Sequence, residues 1–75
     1  MNGLAEAVQR RVGARVRKLR ADRGLTQLRL AQRAGISRPS IANVEAGRQN
    51  VSLRQLCALA VALDVGLEDL LAGTR

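Results

Sequence analysis

The feature that leaves this chain the fewest choices is the run from Thr26 to Arg48, in which two helix-start signals, Thr26 and Ser37, stand either side of a single glycine stop. Thr26 precedes Gln27-Leu28-Arg29-Leu30-Ala31, and a threonine hydroxyl at that place accepts a hydrogen bond from a backbone N–H that has no partner inside the helix. A helix is therefore predicted from about Gln27 to Ala34. Gly35 ends it, because a glycine just past the last apolar residue takes the left-handed conformation without a Cβ clash. Ser37 then caps a second helix, and Pro39 falls in its first turn, where the missing N–H has no helical acceptor anyway. Two short helices around one tight turn, residues 26–46, make a helix-turn-helix.

The remaining pattern is helical as well. Leu4, Val8, Val12, Val16 and Leu19 recur every three or four residues and predict one apolar stripe along a helix over 4–23, with Arg11, Arg15, Lys18 and Asp22 on a solvated side. Gly13 interrupts it at a cost of about 1 kcal/mol relative to alanine, which leaves either a bend or a close helix contact there. Residues 1–10 form either part of this helix or an extension that orders only against a partner chain. In the motif, Leu30, Ala31 and Ala34 face the core with Leu25, and Leu28 falls off that stripe. Ile41 and Val44 turn the next helix, about Arg38 to Ala46, so that Arg38, Pro39, Ala42 and Asn43 face outward. Ser52 and Gln55 read as a capping box for a fourth helix with Leu53, Leu56, Leu59, Ala60 and Leu63 inward. A fifth helix is expected from Leu67 to about Ala72, with Gly73 ending it. No strand-period alternation occurs, so the expected fold is all-α, one five-helix domain.

Composition narrows the function. Seventy-five residues support one core of marginal size, so very regular helices or dimerisation are expected. Cys57 is alone and histidine is absent, which leaves no internal disulfide and no ligand set for zinc. The longest apolar run, Leu56 to Leu63, is far below the roughly 20 residues that span a bilayer, so a soluble, cytoplasmic protein with no membrane partner is expected. Of thirteen cations, twelve are arginine, and the net charge is +7. Residues 1–48 hold eleven cations and three acids, or +8, whereas 49–75 hold two and three, or −1. A one-sided field of this kind concentrates polyanions, and arginine's planar fork suits phosphate and guanine edges. Modules that grip single strands or RNA stack bases on aromatic rings, and this chain has none, so double-stranded DNA is the expected polyanion. Histidine, paired carboxylates and a phosphate-cradling glycine loop are all missing. The sequence therefore predicts no enzyme, and it implies no cofactor or small-molecule effector.

Residues 12–72 resemble the lambda-repressor-like helix-turn-helix family, the xenobiotic-response-element or Cro/repressor type of transcriptional regulator. The resemblance rests on Val16-Arg17-Lys18-Leu19-Arg20, Gly24-Leu25-Thr26-Gln27, Leu30-Ala31, Ala34-Gly35-Ile36-Ser37, Ile41, Val44-Glu45, Gly47 and the closing Leu56, Ala60, Leu63 and Leu67 to Leu71. It implies that the second helix of the motif enters the major groove with its N-terminal residues first. Gln27 then matches a phosphate contact, and Arg38, Pro39, Ala42 and Asn43 match base-facing positions. Arginine pairs with guanine O6 and N7, asparagine with adenine N6 and N7, and an alanine methyl meets thymine. Ser37 and Ser40 are placed to donate to phosphate besides capping, and Arg48 to clamp a further phosphate. Glu45 would repel DNA, and by the same resemblance it is structural, paired with Arg20.

Departures from the pattern are Val51 where proline is common, Gly66 in place of a polar cap, and Leu28-Arg29 at positions commonly acidic or polar. The stretch Arg48 to Leu53 is similar to restriction-modification controller proteins. The small core and an apolar surplus on the last two helices point to a homodimer on a palindromic operator, its monomers reading half-sites about one helical turn apart. Its alternative is a protein-interaction adaptor or antitoxin-type partner on the same fold. Cys57, Val61, Leu67, Leu70 and Leu71 either complete one monomer core or face a second copy.

Overall fold

The apolar periodicity does become helix. The computed structural model describes residues 2–72, and within them the chain forms α1 (Asn2–Asp22), α2 (Gln27–Ala34), α3 (Arg38–Glu45), α4 (Leu53–Leu63) and α5 (Leu67–Leu70). Each predicted N-terminal cap is made. Thr26 Oγ1 accepts the Arg29 N–H at 3.0 Å and Ser37 Oγ accepts the Ser40 N–H at 3.2 Å. Both arms of the Ser52–Gln55 box close, at 3.0 and 3.1 Å. Gly35 closes α2 at φ 68°. At the α4 end a non-glycine residue, Asp64, holds the left-handed conformation, a role that short polar side chains tolerate.

Eleven apolar residues from all five helices make the core: Val12, Val16 and Leu19 of α1, Leu30 and Ala31 of α2, Ile41 and Val44 of α3, Leu59, Ala60 and Leu63 of α4, and Leu70 of α5. Val8, Leu25, Ala34, Ile36, Val51 and Leu56 pack around them. Burying each large aliphatic side chain contributes about 1.5–3 kcal/mol, so the domain holds together by this cluster more than by any polar contact.

The structure corrects the expected stripes at their ends. Leu4 is 65% exposed and Leu53 is 70% exposed, although both keep the period. Gly3 to Glu6 are all exposed, so the start of α1 extends past the elements that the rest of it packs on. Leu53 sits in the first turn of α4, before that helix reaches the core. Leu28 is exposed, off the α2 stripe. Leu70, one of the candidates for a second copy's surface, lies wholly inside this chain's own core, whereas Cys57 and Val61 are exposed. The fifth helix stops at Leu70, shorter than its pattern suggests, and the expected stop at Gly73 lies outside the described residues. Gly66 lacks a capping side chain, but its N–H donates to the Asp69 carboxylate at 3.1 Å, and Arg15 Nε donates to the Asp69 carbonyl at 2.8 Å. The first bond closes the start of α5 from within, and the second fastens α5 to α1.

Gly13 marks close packing. It is buried, and a Cβ built on it would lie 2.1 Å from the Val44 carbonyl oxygen and 3.0 Å from that of Glu45. Helix α1 thus rests directly on the last turn of α3. Gly47, at φ 71°, also packs against α1: a Cβ built on it would lie 2.8 Å from Arg10 Cγ and 3.1 Å from its Cα.

Candidate nucleic-acid interface

Helix α3 presents two faces by simple periodicity. Ile41 and Val44 are buried, and on the other side Arg38 and Pro39 are exposed and Ala42 and Asn43 partly so. Among the described residues, neither the Arg38 guanidinium nor the Asn43 amide has a hydrogen-bond partner, so both keep their full donor and acceptor capacity. Ser37 and Ser40 are engaged with each other. The Ser37 hydroxyl accepts from the Ser40 N–H and donates to Ser40 Oγ at 2.9 Å, which leaves the Ser40 hydroxyl proton as the one available to an outside acceptor.

What holds this face in place is a knot of polar contacts behind it. Arg20 Nε donates to Glu45 Oε2 at 2.6 Å and its Nη2 to Glu45 Oε1 at 3.0 Å, the two-pronged geometry that arginine makes with a carboxylate. A third donor, Nη1, reaches the Leu25 carbonyl at 2.7 Å. Gln27 Nε2 donates to Glu45 Oε1 at 3.1 Å. One carboxylate therefore ties α1, the α1–α2 turn, the start of α2 and the end of α3 together. The Glu45 side chain is 4% exposed and that of Arg20 16%. The hydrogen bond that Arg20 donates to Glu45 raises its guanidinium above its ordinary pKa against a smaller opposing effect of burial, so Arg20 stays charged throughout the physiological range. The expected pairing of Glu45 with Arg20 is present. Gln27 is half-buried, and its amide is already oriented by that pair.

Arg48 follows α3. Its N–H donates to the Asn43 carbonyl at 2.9 Å, closing the helix end, and its side chain is exposed. Sequence reasoning passed over Arg17. It is exposed and lines a polar cleft with Arg20, Gln27, Ala42, Glu45 and Ala46, on the side of the molecule where Gln27 meets α3. Its spacing of three from Arg20, on one helix face, is the signal that marks it. Two of the three acids of the basic region do little to oppose its field, since Glu45 is matched by Arg20 and Asp22 by Lys18 at 3.2 Å. Among the described residues no group of side chains could hold a metal ion, and no helix is long and apolar enough to cross a membrane.

Two capped helices with a short polar face on the second, anchored from behind by a buried ion pair, define a helix-turn-helix domain. A helix-turn-helix family model matches residues 16–70, and the chain belongs to this family of DNA-binding transcriptional regulators, as its resemblance to Cro/repressor-type proteins implied. It is 44% identical over 54 residues to the immunity repressor protein of Bacillus phage phi105, covering 72% of this chain but 38% of the repressor's length. An uncharacterized HTH-type transcriptional regulator of Archaeoglobus fulgidus is 39% identical over 56 residues, 75% of this chain and 80% of that protein. Among solved structures, the restriction-modification controller protein C.AhdI from Aeromonas hydrophila superposes with a TM-score of 0.78 at 37% identity, covering 93% of this chain and 98% of that one. The clp gene regulator ClgR from C. glutamicum gives 0.84 at 31% identity, over 89% and 87%. These relatives are regulators, not enzymes.

Proposed function

We propose that the chain is a sequence-specific regulator that binds double-stranded DNA as a homodimer on a palindromic operator, with α3 in the major groove. The observation that carries this proposal is the pairing, on one short helix, of a buried face with an outer face whose Arg38 guanidinium and Asn43 side-chain amide have no hydrogen-bond partner among the described residues. Arg38 and Asn43 read base edges, and Pro39 and Ala42 let the helix approach closely enough for them to do so. Gln27, Ser37, Ser40 and Arg48 set the height and register of the helix through phosphates. Exposed Val61 and Cys57, outside the core on α4, supply the apolar surface for a second copy. Two copies would place their α3 helices about 34 Å apart, on half-sites one helical turn from each other.

In-vitro selection of bound duplexes followed by sequencing tests the whole proposal. A palindrome is expected, bound at least about 10³-fold more tightly than random DNA. Sequence-blind recovery with no salt dependence would instead make the domain a protein-interaction adaptor. On the selected site, Arg38→Ala and Asn43→Ala are each expected to cost about 1–3 kcal/mol and to relax preference at one or two base pairs, whereas Arg48→Ala weakens all duplexes alike. An Arg38→Ala variant that loses affinity equally on every sequence would assign Arg38 to the backbone.

A further inference from the structure

We infer that Arg17, outside the helix-turn-helix, holds a phosphate of the DNA backbone in the cleft between α1 and the end of α3. This inference rests on the duplex-binding proposal above and adds to it a contact from a helix not otherwise assigned to DNA.

Three observations place the anion there. The cleft is lined by Arg17, Arg20, Gln27, Ala42, Glu45 and Ala46, so it opens beside the residues assigned to phosphate and base contact rather than on a remote surface. Its one carboxylate is spent: both Glu45 oxygens accept from Arg20, and Oε1 also from Gln27, in a side chain that is almost fully buried. The Arg17 guanidinium, by contrast, is exposed and makes no hydrogen bond or ion pair among the described residues. Its five donors therefore face the cleft mouth unengaged, while the other arginine of the cleft, Arg20, is fixed inward.

The floor of the cleft favours close approach. Ala42 on α3 and Ala46 at its C-terminal cap, one turn apart, contribute only methyl groups to the lining and so leave room for a phosphate beside Arg17. Gly13 brings α1 against the carbonyls of Val44 and Glu45, which sets how near Arg17, one turn further along α1, stands to α3. Helix α1 thereby becomes a third contact beside the two helices of the motif, and as a contact to phosphate it carries no base preference.

Titration of the purified chain with the selected duplex and with a random duplex, at several salt concentrations, tests this contact. Arg17→Ala is expected to weaken both duplexes by the same factor, on the order of tenfold, and to reduce the slope of log affinity against log salt by about one, the signature of one lost phosphate. Arg17→Lys keeps the charge and should retain most of the slope. Lys18→Ala, on the neighbouring solvated side and paired with Asp22, should match the wild type. Ala46→Glu, which puts a carboxylate into the cleft mouth from an exposed position, should reproduce the Arg17→Ala loss without touching Arg17. Equal thermal midpoints would show that the fold is intact in all four. If the wild type binds with a steep salt slope and Arg17→Ala keeps both affinity and slope, Arg17 holds no phosphate. A loss confined to the selected duplex would also overturn the inference. A wild type that shows no salt-dependent duplex binding would remove the underlying proposal and this contact with it.

Discussion

Glu45→Ala should lower the thermal midpoint of this domain by roughly 12–24 °C, the equivalent of about 3 kcal/mol in a chain of this size. Removing the carboxylate leaves the Arg20 guanidinium largely out of water with only the Leu25 carbonyl to accept from it, and deprives Gln27 of its partner as well. Breaking one member of a buried ion pair costs about 3–5 kcal/mol, and the low end applies because Arg20 keeps some access to solvent. Thermal unfolding followed by far-ultraviolet circular dichroism measures the change. The loss should persist at high salt, since a pair this enclosed is poorly screened. Replacing both partners with apolar residues of similar size, Arg20→Met with Glu45→Leu, should recover much of the stability, because no charge is then stranded. DNA binding by that double variant would still be weaker than wild type, as Gln27 has lost the acceptor that orients it. A Glu45→Ala midpoint within about 2 °C of wild type would mean that the pair orients α3 but contributes little to holding it.

That pair also shows what the amino-acid order makes visible and what it hides. Helix ends were legible because their causes are local: a hydroxyl two or three residues before an N–H, or a glycine at the one position needing positive φ. The buried residues of the middle of each helix were legible for the same reason, since a period of 3.6 fixes which side a residue is on. It does not fix whether anything lies opposite. Leu4 and Leu53 obey the period and are exposed, because the stripe continues into turns where no other helix reaches. Leu70 was ambiguous for the converse reason. Its neighbours Leu67 and Leu71 are equally apolar, and only the docking of α5 on α1, through Arg15 and the Asp69 carbonyl, selects the one that goes inside. Among the candidate DNA contacts, the residues of α3 could be named from capping and helix phase together with the family resemblance. Arg17 offered only its spacing of three from Arg20, since its importance depends on where α1 lies relative to α3, and that distance is set by the contact of Gly13 with the carbonyls of Val44 and Glu45.

Gly13→Ala should therefore destabilise the protein although helix propensity favours it. In an exposed helix interior the substitution gains about 1 kcal/mol, through higher propensity and a less free unfolded chain. Here the new methyl group would meet the Val44 oxygen at 2.1 Å, the Glu45 oxygen at 3.0 Å and the Val44 carbonyl carbon at 3.1 Å. An ordinary carbon–oxygen approach is about 3.3–3.6 Å, so the last turn of α3 must retreat from α1 by about an ångström, and the atoms in the way are backbone that no rotamer change removes. Overpacking of this kind costs about 1–3 kcal/mol and more when nothing can yield; a net loss of at least about 2 kcal/mol is expected, or roughly 8–16 °C in the midpoint. Gly3→Ala supplies the control within the same helix. No atom lies within 4 Å of a Cβ there, so that variant should melt at or slightly above the wild-type temperature. The retreat of α3 would carry Glu45 away from Arg20, so the two lesions are coupled: in a Glu45→Ala background Gly13→Ala should cost less than it does alone, by about 0.5–3 kcal/mol. Equal costs in the two backgrounds would mean that the separation at Gly13 does not reach the Arg20–Glu45 pair. The same displacement moves Arg38 and Asn43 relative to Gln27, so Gly13→Ala should bind the selected duplex more weakly even at a temperature where it is fully folded. A variant as stable as wild type would show that the helices separate at no cost, and that Gly13 does not set the spacing on which the interface depends.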